Sequence, residues 1–252
     1  MSAQEVEVAM EELLLRVVPG LAEQWQGATP DAIARLERIA GRPLPPFYRW
    51  FLTHMGQSMG PLAYPTFDFS VQHVLDCYAQ EWFEPHPRFL LIADDSKEMM
   101  PSPLFYDLDT PTRADAMVTT WEAQADEDDR YDQFETLHEM LAWSALYRFR
   151  VRKMPQTCSG TVSGDDPNLI SLIEPVMRNL GFTQPISTGP YCGLYERGDA
   201  VMLCKGMPRH GFDQARSFNL GGTTPGALRK ILGELATESS LKIKVAEWAP
   251  GV

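Results

Sequence analysis

A chain of 252 residues with 44% apolar and 10% aromatic side chains carries far more core material than a disordered segment, so it is expected to fold as one large domain or two smaller ones. Its net charge of −12 is unevenly spread: residues 1–150 hold 25 acidic and 11 basic side chains, residues 151–252 hold 9 and 11. The first part is therefore poorly suited to gripping phosphates, which are met by Lys and Arg, and nucleic acid is not an expected partner there.

The N-terminal residues lack a basic n-region followed by an apolar stretch, and no run approaches the roughly 18 apolar residues that a membrane span needs. A soluble cytoplasmic protein is expected. Glu5 to Val18 reads as a helix stopped near Pro19-Gly20. Thr29 is a suitable N-cap for a second helix, with Pro30 in its first turn, Ile33, Leu36 and Ile39 on one side, and Gly41 at its end. Leu44-Pro45-Pro46 forces a corner before a third helix that carries Phe47, Trp50 and Phe51 and stops at Gly56.

The period then changes. Phe67–Phe69, Phe89–Ala93, Leu104–Leu108 and Met117–Trp121 read as strands of an antiparallel sheet, and Asp132 to Val151 returns to helical spacing. Residues 153–166 contain Ser, Thr, Gly and Pro with little apolar periodicity and read as a linker, at the same place as the charge step. Domains are expected at 1–152 and 167–252. The second reads as a small α+β unit: a helix over Pro167–Leu180, a hairpin turning at Arg197-Gly198-Asp199, a strand near Ser217–Leu220, a helix capped by Thr224 and a last strand at Leu241–Val245.

The order Ile33-x-x-Leu36-Glu37, Gly41, Leu44-Pro45, Phe47, then Trp50-Phe51-Leu52 to Gly56 resembles the N-terminal signature of the SUKH superfamily, and Tyr106-Asp107-Leu108 and the helix around Phe134 and Leu141 fall where such domains place theirs. The resemblance spans roughly residues 5 to 150. It departs from the family where a Gly-rich turn gives way to the longer segment Asp94 to Pro103, which implies a remodelled loop. The resemblance implies an α+β fold of N-terminal helices, an antiparallel sheet and a closing helix. It also implies an immunity protein that neutralises a secreted or contact-delivered toxin by binding it, without chemistry of its own. A regulatory scaffold of the SUKH type and a small-ligand sensor stay open.

Chemistry finds little support in the residues. Cys77, Cys158, Cys192 and Cys204 stand apart with no CxxC pair and read as reduced, buried thiols. Cys192 or Cys204 with His210 lacks an oxyanion-hole motif. The five histidines, His54, His73, His86, His138 and His210, form neither HxxxH nor HExxH, so no metal is expected without a long-range assembly. Gly221-Gly222-Thr223-Thr224-Pro225-Gly226 lacks the P-loop Lys and reads as a strand-to-helix turn. No catalytic residue and no cofactor are assigned.

Recognition is better supported. Glu122, Asp126, Glu127, Asp128, Asp129, Asp132 and Glu135 place seven carboxylates in fourteen residues. Their mutual repulsion fits a surface kept for steering a basic partner as well as it fits a solvated loop feeding a helix N-terminus. Trp82, Phe83 and Trp121 are candidate aromatic anchors, and Glu98 in the remodelled loop is a further candidate contact. The expected partner is a cognate protein toxin, such as a nuclease or another basic effector domain, bound through this acidic surface.

Overall fold

Thr29 opens the helix that the sequence marks most clearly: in the computed structural model its Oγ1 accepts from the Ala32 N–H at 3.3 Å. Residues 3–95, 102–121, 130–208 and 214–250 are described. They divide into two compact units, residues 1–138 and 139–252.

The first unit begins with α1 (Ala3–Val17) and the short α2 (Leu21–Gln24), followed by β1 (Trp25–Gln26), α3 (Pro30–Ala40) and α4 (Pro46–Met55). Pro30 occupies the first turn of α3, and Gly41 ends it with φ 66°, donating its N–H to Glu37 O. That left-handed geometry suits a residue without Cβ. α4 buries Phe47, Tyr48, Trp50, Phe51, Leu52 and Met55. At Gly27 a Cβ would stand 2.0 Å from the Thr53 carbonyl, so only glycine lets β1 run this close to α4. β2 (Ser58–Met59) pairs with β1.

β3 (Phe67–Asp68), β4 (Phe89–Asp95), β5 (Leu104–Thr112), β6 (Asp115–Thr120) and β7 (Tyr131–Phe134) form one antiparallel sheet in chain order. Between β3 and β4 lies α5 (Val71–Ala79), capped by Ser70, whose Oγ accepts from His73 N. α4 lies against the sheet through Tyr48, whose ring meets Tyr106 edge-on at 4.9 Å, and through Phe47 N–H, which donates to Ala114 O. Arg113 and Ala114, with φ 50° and 63°, form the two-residue turn from β5 to β6, the hand that closes a tight hairpin.

Two expectations need correction. Asp132 to Phe134 is strand rather than helix, because Tyr131-Asp132-Gln133-Phe134 alternates outward and inward, and α6 (Leu137–Phe149) starts only at Leu137. The expected linker contains β8 (Gln156–Ser163), paired on both sides. Its composition misleads because small residues are needed there: at Gly160 a Cβ would lie 2.1 Å from Lys244 O and 2.9 Å from the Phe218 ring.

The second unit orders β12 (Lys242–Pro250), β8, β11 (Ala215–Gly222), β10 (Ala200–Lys205) and β9 (Cys192–Arg197) across one antiparallel sheet. α7 (Leu169–Asn179) and α8 (Pro225–Glu238) contribute Ile173, Met177, Leu228 and Ile231 to a core shared with Val162, Met202, Phe218 and Leu220. The β9–β10 hairpin turns at Gly198-Asp199, and Arg197 donates to Asp199 at 2.6 Å. Thr224 caps α8, and the glycines before it are the end of β11. Among the described residues no helix is long and apolar enough to cross a membrane.

Candidate functional site

The registers of the first sheet place Ala93, Leu104, Thr120 and Tyr131 in one row across β4, β5, β6 and β7. That row lies close to one end of the sheet. The strand ends that bound residues 96–101 and those that bound residues 122–129 are therefore neighbours. Glu98 falls in the first segment, and Glu122, Asp126, Glu127, Asp128 and Asp129 in the second; all six lie outside the described residues.

What flanks the second segment is well defined. On its N-terminal side Trp121 is only 9% exposed and folds back over the sheet, its ring 4.7 Å from Phe89 and 5.8 Å from Phe105. His86 packs on the same indole at 5.3 Å, and Phe83 meets Phe105 edge-on at 5.8 Å. On its C-terminal side Arg130 lies 3.8 Å from Asp107 and 3.7 Å from Asp132. Asp107, buried, also receives two bonds of 2.9 Å from Arg88 and one from the Thr110 hydroxyl. Burial alone would raise its pKa, but the bonds from Arg88 and Thr110 and the Arg88 charge outweigh burial and hold it below the usual carboxylate value. Thr119 and Thr120 donate to Tyr131 O and tie the two strand ends together.

The anticipated recognition residues thus separate into groups. Asp132, 1% exposed, is an internal partner of Arg130, and Glu135, partly buried, lies 3.5 Å from Arg113. Trp121 is an anchor inside the sheet face, and Phe83 is half-buried beside it. Trp82 is open to solvent at 58%. Tyr131, at 59%, is as exposed as Trp82 and was missed in the sequence because its segment read as the start of a helix. Strand alternation from Tyr131 to Phe134 was the signal that could have found it.

Potential chemistry is limited by burial. The Cys204 thiol is pushed up to about 12 by desolvation despite the nearby Arg216, so it is a poor nucleophile, and His210 lies outside the described residues. Cys77, Cys158, Cys192 and Cys204 are buried thiols outside any disulfide. Asp115, His138 and Thr136 line up as a carboxylate, an imidazole and a hydroxyl, yet all three are sealed in the interior at 1%, 1% and 0% exposure. That is a structural network without access for a substrate. His73, Cys77 and Asp94 bring three metal-ligating side chains together, and because the helical pair is His73-x-x-x-Cys77, no paired-histidine motif marks it in the sequence.

Residues 27–143 match the SMI1 / KNR4 family (SUKH-1), a range that contains the row of strand ends, Trp82, Trp121, Arg130 and Tyr131. No curated protein matched the chain. The family is one of immunity-type or regulatory domains that act through protein–protein contacts, generally without catalysis. Over residues 27–143 this chain is similar to the SUKH domains of the SMI1 / KNR4 family.

Proposed function

We propose that this chain is an immunity protein that binds and neutralises a basic protein toxin, and that it does so with the end of the first sheet that carries Tyr131 and the acidic segment 122–129. One observation carries the reading: the carboxylates with a structural partner, Asp107, Asp132 and Glu135, are turned toward Arg88, Arg130 and Arg113. The five carboxylates between Trp121 and Arg130 are bounded by these anchored residues. Five carboxylates within eight consecutive residues concentrate negative charge in the sequence, which suits electrostatic steering of a cationic partner. Exposed Tyr131 beside it is a residue type that supplies contact energy once the partner has docked. Nuclease-type effectors, which hold polyanions, present the complementary charge.

The test mixes the purified full chain with the purified secreted protein encoded immediately beside it, and measures both complex formation and protection of cells that produce that protein. A stoichiometric complex with protection supports the proposal. Absence of a complex, or a complex without protection, overturns it; binding to several unrelated proteins instead would support a regulatory scaffold.

A further inference from the structure

His73 and Cys77 stand one helical turn apart on α5, and Asp94 on β4 meets them. The Cys77 sulfur lies 3.7 Å from His73 Nε2 and 3.9 Å from Asp94 Oδ2, and ligand atoms of the three residues all lie within 4.8 Å of one another. A tetrahedral ion with bonds of about 2.0–2.3 Å to nitrogen, oxygen and sulfur separates its donor atoms by roughly 3.3–3.6 Å. The two sulfur edges are therefore within a few tenths of an ångström of the geometry required. The thiol is buried and the other two groups are partly exposed, so an ion can enter from solvent and seat on sulfur.

A second observation points the same way. Asp68 and Asp94 are direct partners across the β3–β4 pair. Like charges directly opposite in a ladder destabilise it. Asp68 receives the Ser70 N–H at 2.7 Å, which fixes it at the start of α5 on the same side as the ligand group. The frame is rigid: Leu91 N–H donates to Tyr78 Oη at 2.9 Å, and Val71 N–H donates to Gly56 O at 2.8 Å, so α5 is held to β4 and to the end of α4. Two facing carboxylates beside an imidazole and a thiol are a donor set that suits a cation.

We propose that His73, Cys77 and Asp94 bind one divalent transition-metal ion of the zinc class. Nitrogen, thiolate and carboxylate donors suit such an ion, and the fourth position falls to water or to Asp68. Coordination replaces the Cys77 thiol proton, which leaves to solvent. The bound ion ties α5 to the β3–β4 edge, next to Ala93 in the row that bounds segment 96–101. It is a structural clamp independent of how the domain recognises its partner.

The full chain, stripped with a chelator, is titrated with cobalt(II) and then with zinc. One cobalt per chain is expected, with a thiolate-to-cobalt charge-transfer band that zinc abolishes. Cys77→Ala should lose the band, and His73→Gln and Asp94→Asn should each weaken binding by at least about tenfold, since even outer-sphere partners contribute that much. Persistence of the band in Cys77→Ala, wild-type affinity in both other variants, or no stoichiometric binding overturns the proposal. Should Cys77→Ala fail to fold by circular dichroism, the two partly exposed variants decide.

Discussion

Oδ2 of Asp115 lies 3.1 Å from both the backbone nitrogen and the ring Nδ1 of His138. The other oxygen accepts from Tyr106 Oη at 2.7 Å and from Ala116 N at 2.9 Å. One carboxylate at the β5–β6 turn thus satisfies the first turn of α6 and a buried tyrosine in the sheet, which explains how a helix start and a hairpin with two left-handed residues are held in register. Asp115→Ala is expected to destabilise the fold by about 3 kcal/mol, because it strands buried donors in an interior closed to water. Asp115→Asn, which keeps one acceptor, should lose less. Urea unfolding followed by tryptophan fluorescence measures both; a loss under about 0.5 kcal/mol for the alanine variant would show the network to be dispensable.

Stability toward acid should depend on Asp107. Its folded-state pKa is held below the ordinary carboxylate value by Arg88 and Thr110 against the opposing effect of burial. A carboxyl with a depressed pKa contributes stability that is complete above the unfolded value near 4 and is lost as pH falls through the lower folded value. Arg88→Ala should lower stability at neutral pH by about 3 kcal/mol, since it leaves a buried charge short of its partner, and it should flatten the acid limb. Urea midpoints measured from neutral pH down to about pH 3 test this. A wild-type slope in the variant would mean that other carboxylates govern the acid limb.

The helices with strong end signals were readable in the sequence: Thr29, Pro30 and Gly41 bound α3, and Thr224 and Pro225 start α8. The hairpin at Gly198-Asp199 was readable for the same reason, since turn chemistry is local. α5 carries Val71, Val74 and Leu75 at helical spacing, but at nine residues it is short and stands between aromatic strand segments, so its signal is weak in the sequence. β8 was missed for a physical reason. Its residues are small because neighbouring backbone and the Phe218 ring crowd Gly160, and a strand chosen for closeness has the composition of a loop. The site divided likewise: surface charge could be counted, but the turning of Asp132 and Glu135 toward Arg130 and Arg113 depends on β7 being a strand.

The strand assignment of residues 156–163 makes a prediction opposite to that of a linker. Limited proteolysis of the folded chain should spare this segment, whose backbone is hydrogen-bonded on both sides, and cut first elsewhere. Gly160→Ala should destabilise the second unit by about 1–3 kcal/mol, because its methyl meets the Lys244 carbonyl and Phe218 and forces β12 away from β8. Early cleavage between 156 and 163, together with an unaltered Gly160→Ala protein, would contradict this sheet.

Electrostatic and contact contributions to partner binding can be separated at the proposed interface. Neutralising Asp126, Glu127, Asp128 and Asp129 to Asn or Gln removes charges that act before contact, so association at low salt should slow by about tenfold and its salt dependence should flatten. Dissociation should change little. Tyr131→Ala and Trp82→Ala remove exposed rings instead, and if these rings seat in the partner, dissociation should accelerate by a factor corresponding to about 2 kcal/mol while the association rate holds. Tyr131 and Trp82 are exposed, and neutralising clustered like charges relieves their repulsion, so thermal stability should stay within about 0.5 kcal/mol of wild type. Kinetic binding at low and high salt against the protein encoded beside this chain reads both rates. Unchanged rates in folded Tyr131→Ala and in the neutralised variant would place the interface elsewhere, because a sheet end that carries recognition cannot lose both its charge and its aromatic contact without effect.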